Sequence, residues 1–486
     1  MSTGEQSIRV LVDGTVHTIG NLHPTTTVLQ FLREHLRRCG TKEGCAEGDC
    51  GACTVVLAEL AGTELTYRAV NACIQFLPTL DGKALITVES LKAETGGTLH
   101  PVQQAMVECH GSQCGFCTPG FVMSLYALYR SNRNPDDAAI GYALSGNLCR
   151  CTGYRPILAA ARRMYEYPRV GDANDRELKE RLLAIRVTRE KRLEVGNTDY
   201  VAPTTVAELT RALAERPQAT ILAGGTDVGL WVTKQQQELP AIVYLGNISE
   251  LRRIELTDHY TEFGAAVSLT DAFATLTAEY PDLKEIERRF ASPPICNAGT
   301  LCGNVANGSP IGDSMPALVC LGSSVVLRSA GGVRVIALED FYLDYMKKDL
   351  RPGEFVAAVR VPRARPGLAL RSYKIAKRFD QDISAVCAAF TVELAAGRIR
   401  AARICFGGMA ATPRRAENCE RALIGAEWSA GVIARAAQSL AKDFQPITDL
   451  RASQDYRLRV ARNLLQRFHA DLAQGGRNTR VWTYVG

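Results

Sequence analysis

Residues 8–20 alternate apolar and polar positions on either side of Asp13-Gly14, the pattern of two antiparallel strands joined by a tight turn. Val28, Leu32 and Leu36 then recur at i, i+4 and i+8, which predicts an amphipathic helix over 25–36, capped by Thr25 or Thr26 and stopped by Gly40. A stretch without periodicity follows, EGCAEGDCGACT (43–54), then the apolar strand TVVLAEL and a second strand pair ending near ITVESL. These elements predict a small first domain over 1–85. From His100 the period turns helical: PVQQAMVECHG leads into QCGFCTPGFVMSLYALYR, and beyond Asn134-Pro135 a second helical run leads into NLCRCTGYRPILAAARRMY. The two halves read as a loose repeat, helix, cysteine pair, helix, over 86–168.

Residues 169–195 are charge-rich with little apolar pattern and read as a linker with one short surface helix. After it Ala207, Leu209 and Leu213 pattern a helix, TILA a buried strand, and SSVVLRS, GVRVIAL and EFVAAVRVP three more strands, giving an α/β domain over 196–366. The remainder, 367–486, alternates the strands LRSYKIAKR, SAVCAAFTVEL and IRAARICFGGM with helices from Arg414 to Ala473, an α+β cap. The fold class is α+β, multidomain.

Composition narrows the function. A chain of 486 residues exceeds a single core, and 46% apolar with 22% charged residues is ordinary for a globular protein. The net charge of +6 is spread without a basic stripe, which disfavours nucleic acid. No cationic leader with an apolar run opens the sequence and no stretch of about 18 apolar residues occurs, so a cytoplasmic protein that meets no membrane is expected. Sixteen cysteines then point to metal ligation rather than disulfides. Cys39, Cys109, Cys296, Cys302, Cys320, Cys387, Cys405 and Cys419 read as buried small hydrophobes.

The other eight carry the chemistry. Cys45, Cys50 and Cys53 stand as C-x4-C-x2-C with Cys73 further on, the plant-type [2Fe-2S] spacing. Gly44, Gly48 and Gly51 allow positive φ, so that backbone N–H groups can turn toward the bridging sulfides. Around that loop the first domain reads as a ferredoxin-like β-grasp. Cys114-x2-Cys117 and Cys149-x-Cys151 would face one another between helices and hold a second such cluster; on spacing alone, two zinc sites remain the alternative for the eight thiols. Gly224-Gly225-Thr226-Asp227 between a strand and a helix can cradle a pyrophosphate, although a glycine pair is more often only a turn. A second backbone-rich loop, ASPPICNAGTLCGNVANGSPIGDSMPAL, offers Thr300, Asn304, Ser309 and Asp313, and two such loops suit a large anionic planar cofactor. Neither a G-x-G-x-x-G fingerprint nor a P-loop is present.

EGCAEGDCGACT, QCGFCTPGF, NLCRCTGYRPI, ILAGGTDV, AGTLCGNVANGSPIGD and FGGMAATPRRA occur in this order along nearly the whole chain. In them the sequence resembles the iron-sulfur and flavin subunit of the bacterial xanthine dehydrogenases, within the molybdenum hydroxylase family. The resemblance implies a helical-bundle [2Fe-2S] domain after the β-grasp, a two-part FAD-binding domain of the PCMH type and a C-terminal flavoprotein domain. It implies one cluster on Cys114, Cys117, Cys149 and Cys151, nearest the molybdenum, and another on Cys45, Cys50, Cys53 and Cys73, between it and FAD. The FAD contacts it implies are Ile221, Leu222, Ala223, Gly224, Gly225, Thr226, Asp227 and Val228; Thr300, Leu301, Cys302, Gly303 and Asn304; and Asp313, Phe290, Val356 and Lys374. No acid–base pair or nucleophile is expected, since the work implied is electron transfer to NAD, with Arg378–Asp382 controlling NAD access. The implied partner is a large subunit that alone binds the molybdenum cofactor and hydroxylates a purine, hypoxanthine or xanthine, in a heterotetramer with two copies of each chain. Alternatives are the same role in a hydroxylase of aldehydes, nicotinate or another N-heterocycle, and a non-enzymatic zinc-binding scaffold.

Overall fold

Ile8–Val12 and Thr15–Ile19 pair antiparallel through Asp13 and Gly14, whose φ values of +45° and +80° make the mirror-image turn that the right-handed twist of a hairpin favours. The expected helix over 25–36 needs correction. Val28–Gln30 is α-helical and Phe31–His35 continues as a wider π-helical turn. The cap is Thr27, not Thr25 or Thr26: its hydroxyl accepts from Gln30 N–H at 3.2 Å while the Gln30 side chain accepts from Thr27 N–H at 2.9 Å. Thr-x-x-Gln satisfies two end donors reciprocally, and neither earlier threonine has a Glu or Gln three residues on. The element stops before Arg37, at φ +56°, ahead of Gly40.

The structure, a computed structural model, describes residues 6–473 in two compact units, 6–249 with 292–299, and 250–291 with 300–473. In the first unit a five-stranded sheet runs Thr15–Ile19, Ile8–Val12, Ala84–Ile86, Thr54–Ala61, Glu64–Asn71. Its strand Thr54–Ala61 is apolar on both faces because both are covered. Val56 and Ala58 join a core with Met106, Phe121, Tyr126 and Ile157 of the helical segment, whereas Val55 and Leu57 join another with Tyr200, Leu222 and Ile242. The helices Pro101–Glu108, Thr118–Ser131, Asp137–Leu144 and Arg155–Arg163 follow the expected repeat. A four-stranded sheet, Lys191–Val195, Thr198–Ala202, Ala241–Tyr244 and Thr220–Leu222, completes the unit, its last three strands parallel to one another.

The expected linker is only partly one. Asp175–Ala184 is a helix, as foreseen, but Lys191–Val195 is a sheet strand. Two of the charges here, one half-buried and one buried, are paired rather than solvated. Asp175 accepts from Arg130, whose guanidinium stacks 4.1 Å from the Tyr67 ring centre, and Lys191, 2% exposed, lies 3.8 Å from Asp81.

The second unit holds an antiparallel sheet in the order Ile254–Leu256, Tyr260–Gly264, Phe355–Pro362, Ser324–Ser329, Gly332–Ala337. A separate antiparallel sheet, Leu368–Ile375, Val386–Ala395, Arg398–Gly407 and Arg414–Arg415, buries one face under the helices Glu417–Leu423, Ala430–Asp443 and Gln454–Ala473. The flavin domain expected over 196–366 is thus divided between the two units. Six of the eight structural cysteines are buried; Cys39 is exposed and Cys109 half-buried. Among the described residues no helix is long and apolar enough to cross a membrane.

Candidate functional site

The first cysteine loop gathers its four sulfurs. Cys45 interacts with Cys50 and Cys73, and Cys73 also with Cys53, so the quartet forms one continuous set of contacts. Proton sharing draws Cys45 and Cys53 below the usual thiol range and pushes Cys50 and Cys73 above it, burial adding to the rise. The backbone N–H groups of Glu47 and Cys50 also point at Cys45 Sγ, each at 3.4 Å, the donors a thiolate needs when iron replaces the protons. Gly48 and Gly51 take φ of +84° and +69°. Gly44 does not; it is there for room, since a Cβ on it would lie 2.7 Å from Cys50 Sγ.

The second set is more open, with Cys114 and Cys151 exposed, Cys117 half-buried and Cys149 buried. Cys117 meets Cys149 and Cys151 meets Cys114, which pairs the C-x2-C segment with the C-x-C segment as the helical repeat requires. Burial, then the contact with Cys149, pushes the Cys117 thiol up to about 12. Among the described residues no three His, Cys, Asp or Glu side chains gather around one point as a single ion requires. Each set gathers four thiols, and that donor set fits a two-iron cluster, whose four thiolates are shared between two metals.

The two cysteine sets are joined directly. Leu148 N–H, beside Cys149, donates to Cys50 O at 3.0 Å, and the Asn147 side chain, 3% exposed, donates to Gly51 O and Thr54 Oγ1 while accepting from Ser124 Oγ at 2.6 Å. Sequence reasoning missed Asn147 and Ser124; the asparagine stands inside NLCRC, but its partners lie 23 and 96 residues away.

On its other side the first loop meets the glycine turn. A Cβ on Gly229 would lie 2.5 Å from the carbonyl oxygen of Ile74, the neighbour of Cys73. Gly224 is pressed against the Ala298 carbonyl, where any Cβ would collide, and Gly225 has φ +74°. Ile221 to Val228 therefore lies at the carboxyl end of the parallel strand Thr220–Leu222, where ligands of such sheets bind. Leu222 points into the core, and Asp227 accepts from Trp231 Nε1 at 3.1 Å. The following helix, Val228–Thr233, is short, so bare backbone rather than a helix dipole is what this turn offers.

The second unit holds the other expected flavin residues. Thr300 caps Leu301–Asn307, its hydroxyl accepting from Gly303 N–H at 2.9 Å. Leu301 and Cys302 are buried, and Cys302 donates to Phe263 O, so both present only backbone outward. Asn304 accepts from Ser314. Asp313 and Lys374 form an ion pair at 2.7 Å with each side chain 2% exposed, and Ser384 Oγ donates to the second Asp313 oxygen at 2.6 Å. The Phe290 ring meets Phe273 edge-on at 5.9 Å. Beside it, Arg289 spans Glu285, Lys374 O and Phe379 O, a tie that the sequence did not reveal. Val356 is 6% exposed on its strand.

Family models match four successive segments: 2Fe-2S iron-sulfur cluster binding domain (10–77), [2Fe-2S] binding domain (87–162), FAD binding domain in molybdopterin dehydrogenase (193–364) and CO dehydrogenase flavoprotein C-terminal domain (371–472). The chain is 33% identical over 485 residues to xanthine dehydrogenase of Emericella nidulans, covering 87% of this chain and 35% of that protein. It is 32% identical over 486 residues to aldehyde oxidase 1 of Bos taurus, covering 88% and 36%. It thus spans about a third of the length of these curated relatives. Quinoline 2-oxidoreductase from Pseudomonas putida 86 is similar in structure, with a TM-score of 0.53 and 28% identity over 58% of this chain and 99% of that one.

Proposed function

We propose that this chain, which belongs to the molybdenum hydroxylase family as an iron-sulfur and flavin protein, is the electron-transfer subunit of a xanthine dehydrogenase. In this reading electrons from purine hydroxylation at a partner molybdenum subunit reach NAD through two [2Fe-2S] clusters and FAD. When bound, the clusters supply one-electron carriers and FAD a store that takes two electrons.

The observation that carries the reading is the direct succession, within one unit, of the Cys149 segment, the Cys50 loop and the Cys73–Ile74 segment set against the glycine turn. The chain's own residues act as ligands and spacers. Cys45, Cys50, Cys53 and Cys73, and Cys114, Cys117, Cys149 and Cys151, would hold the metals. Residues 221–228 would offer bare backbone to the FAD pyrophosphate; 300–304, Asp313, Phe290, Val356 and Lys374 are the further FAD contacts of this reading. The exposed Cys114–Cys151 end is the face for the partner, and a heterotetramer with two copies of each chain in the cytoplasm is the assembly we expect.

Purine as substrate is supported by the likeness to xanthine dehydrogenase and by the union of cluster and flavin segments in one chain. The nearly equal identity to aldehyde oxidase 1 supports an aldehyde hydroxylase as the second reading. Purifying the native complex, identifying the partner and assaying xanthine with NAD decides between them. NADH formed from xanthine is the expected result; turnover of aldehydes but not of xanthine would overturn the purine reading.

A further inference from the structure

The sheet that carries Lys374 has two faces, and what covers one is tied to what lies on the other. On the strand Leu368–Ile375, Tyr373 faces the helices and Lys374 faces Asp313, as the two-residue period of a strand demands. The helix Gln454–Ala473 reaches this sheet with buried polar groups rather than with apolar packing alone. Arg457, 2% exposed, donates through one terminal nitrogen to Ala385 O and, at 2.8 Å, to Gly408 O, and through the other to Asp449 at 2.6 Å. Burial works against a charged Asp449, yet the N–H groups of Ala452 and Arg451, with Arg457, hold its carboxyl well below the usual range. Near the end of the same helix Asp471 accepts from Tyr373 Oη at 2.8 Å.

Three of these bonds, those that end at Tyr373, Ala385 and Gly408, meet or adjoin a residue that holds the Asp313 segment. Tyr373 precedes Lys374, which pairs with Asp313. Ala385 follows Ser384, which donates to Asp313. Gly408 N–H donates to Pro310 O at 2.8 Å. A buried guanidinium with three acceptors fixes directions that apolar packing leaves free, because breaking any one bond strands a polar group away from water.

We propose that Arg457 is a positioning residue for the flavin: with Tyr373–Asp471 as a second fastening, it sets the Asp313–Lys374 pair without touching the cofactor. The proposal rests on the reading of Asp313 and Lys374 as flavin contacts. Loosening the clamp would let the pair shift while the fold persists.

The test compares Arg457→Met and Tyr373→Phe with Arg459→Met, which removes the same charge from an exposed position of the same helix. All are purified as full chain with the native partner. The expected result is about tenfold weaker FAD retention in Arg457→Met, as the loss of charge-assisted bonds implies. The flavin midpoint potential and visible circular dichroism would move in both clamp variants and stay as wild type in Arg459→Met. Since Tyr373→Phe preserves shape, wild-type flavin spectra and potential in that variant overturn the proposal even where Arg457→Met does not fold. A folded Arg457→Met with wild-type flavin properties also overturns it. A wild-type complex that holds no FAD refutes the flavin reading itself, a separate outcome.

Discussion

Replacing Asp313 by Asn tests whether the second unit is built around a buried charge pair. Lys374 and Asp313 are each 2% exposed and 2.7 Å apart, so the substitution leaves an ammonium group in the interior opposite a neutral amide. Removing one partner of such a pair costs about 3–5 kcal/mol, because the surviving charge keeps its desolvation penalty and loses its compensation. For a unit of this size that lowers the thermal midpoint by roughly 6–20 °C. The double substitution Asp313→Asn with Lys374→Met removes both charges and should recover about 2 kcal/mol or more, since an apolar replacement no longer demands a partner. Scanning calorimetry of wild type, both single variants and the double variant measures the coupling. A single variant within about 1 kcal/mol of wild type, or a double variant no better than Asp313→Asn, would show that the pair is not the sealed contact described.

Three further outcomes follow from other parts of the structure. On the proposed relay to NAD, Cys45→Ser or Cys149→Ser should halve the iron and sulfide per chain and stop NADH formation by the complex; normal NADH output from either would refute the relay. Gly51→Ala places a Cβ at φ +69° against the Gly146 carbonyl and should cost about 2–3 kcal/mol with a fall in iron content, read by denaturant unfolding and metal analysis. His100 is fully buried, and burial, with the Arg130 guanidinium second, lowers its pKa to about 4. Between that value and the ordinary 6.5 the unfolded chain binds a proton that the folded chain refuses, so stability falls by about 3 kcal/mol as pH drops across this window. His100→Asn, which can still cap the helix Pro101–Glu108, should flatten that acid limb in urea titrations; an unchanged limb would assign it to other groups.

What could be read in advance was local. Asp13-Gly14 fixed a hairpin, Thr27-x-x-Gln30 held a capping box that was there to find, and the cysteine spacings predicted two quartets whose thiols the fold does bring together. Pairings distant along the chain were not legible. Nothing near Lys191 shows that its ammonium will be buried beside Asp81, and a charge-rich stretch reads as solvated until the partner is seen. Asp313 and Lys374 were each named for the cofactor, yet their union across 61 residues, with Ser384 donating to the other Asp313 oxygen, needed the fold. Arg457 carried no signal, since one arginine among several on an amphipathic helix looks like surface.

The excursion of the chain between residues 250 and 291 has a consequence for synthesis. The helix Pro293–Ala298 returns to the first unit, where Asn297 Nδ2 donates to the Ala69 carbonyl and Ala298 backs the glycine turn. A ribosome must therefore add the residues up to 298 before the wall that Asn297 and Ala298 supply beside the first sheet and the glycine turn is in place. Delivery of iron and sulfide to a nascent chain would meet a half-walled receptacle, and fragments ending near residue 168 should be poor recipients for the metal.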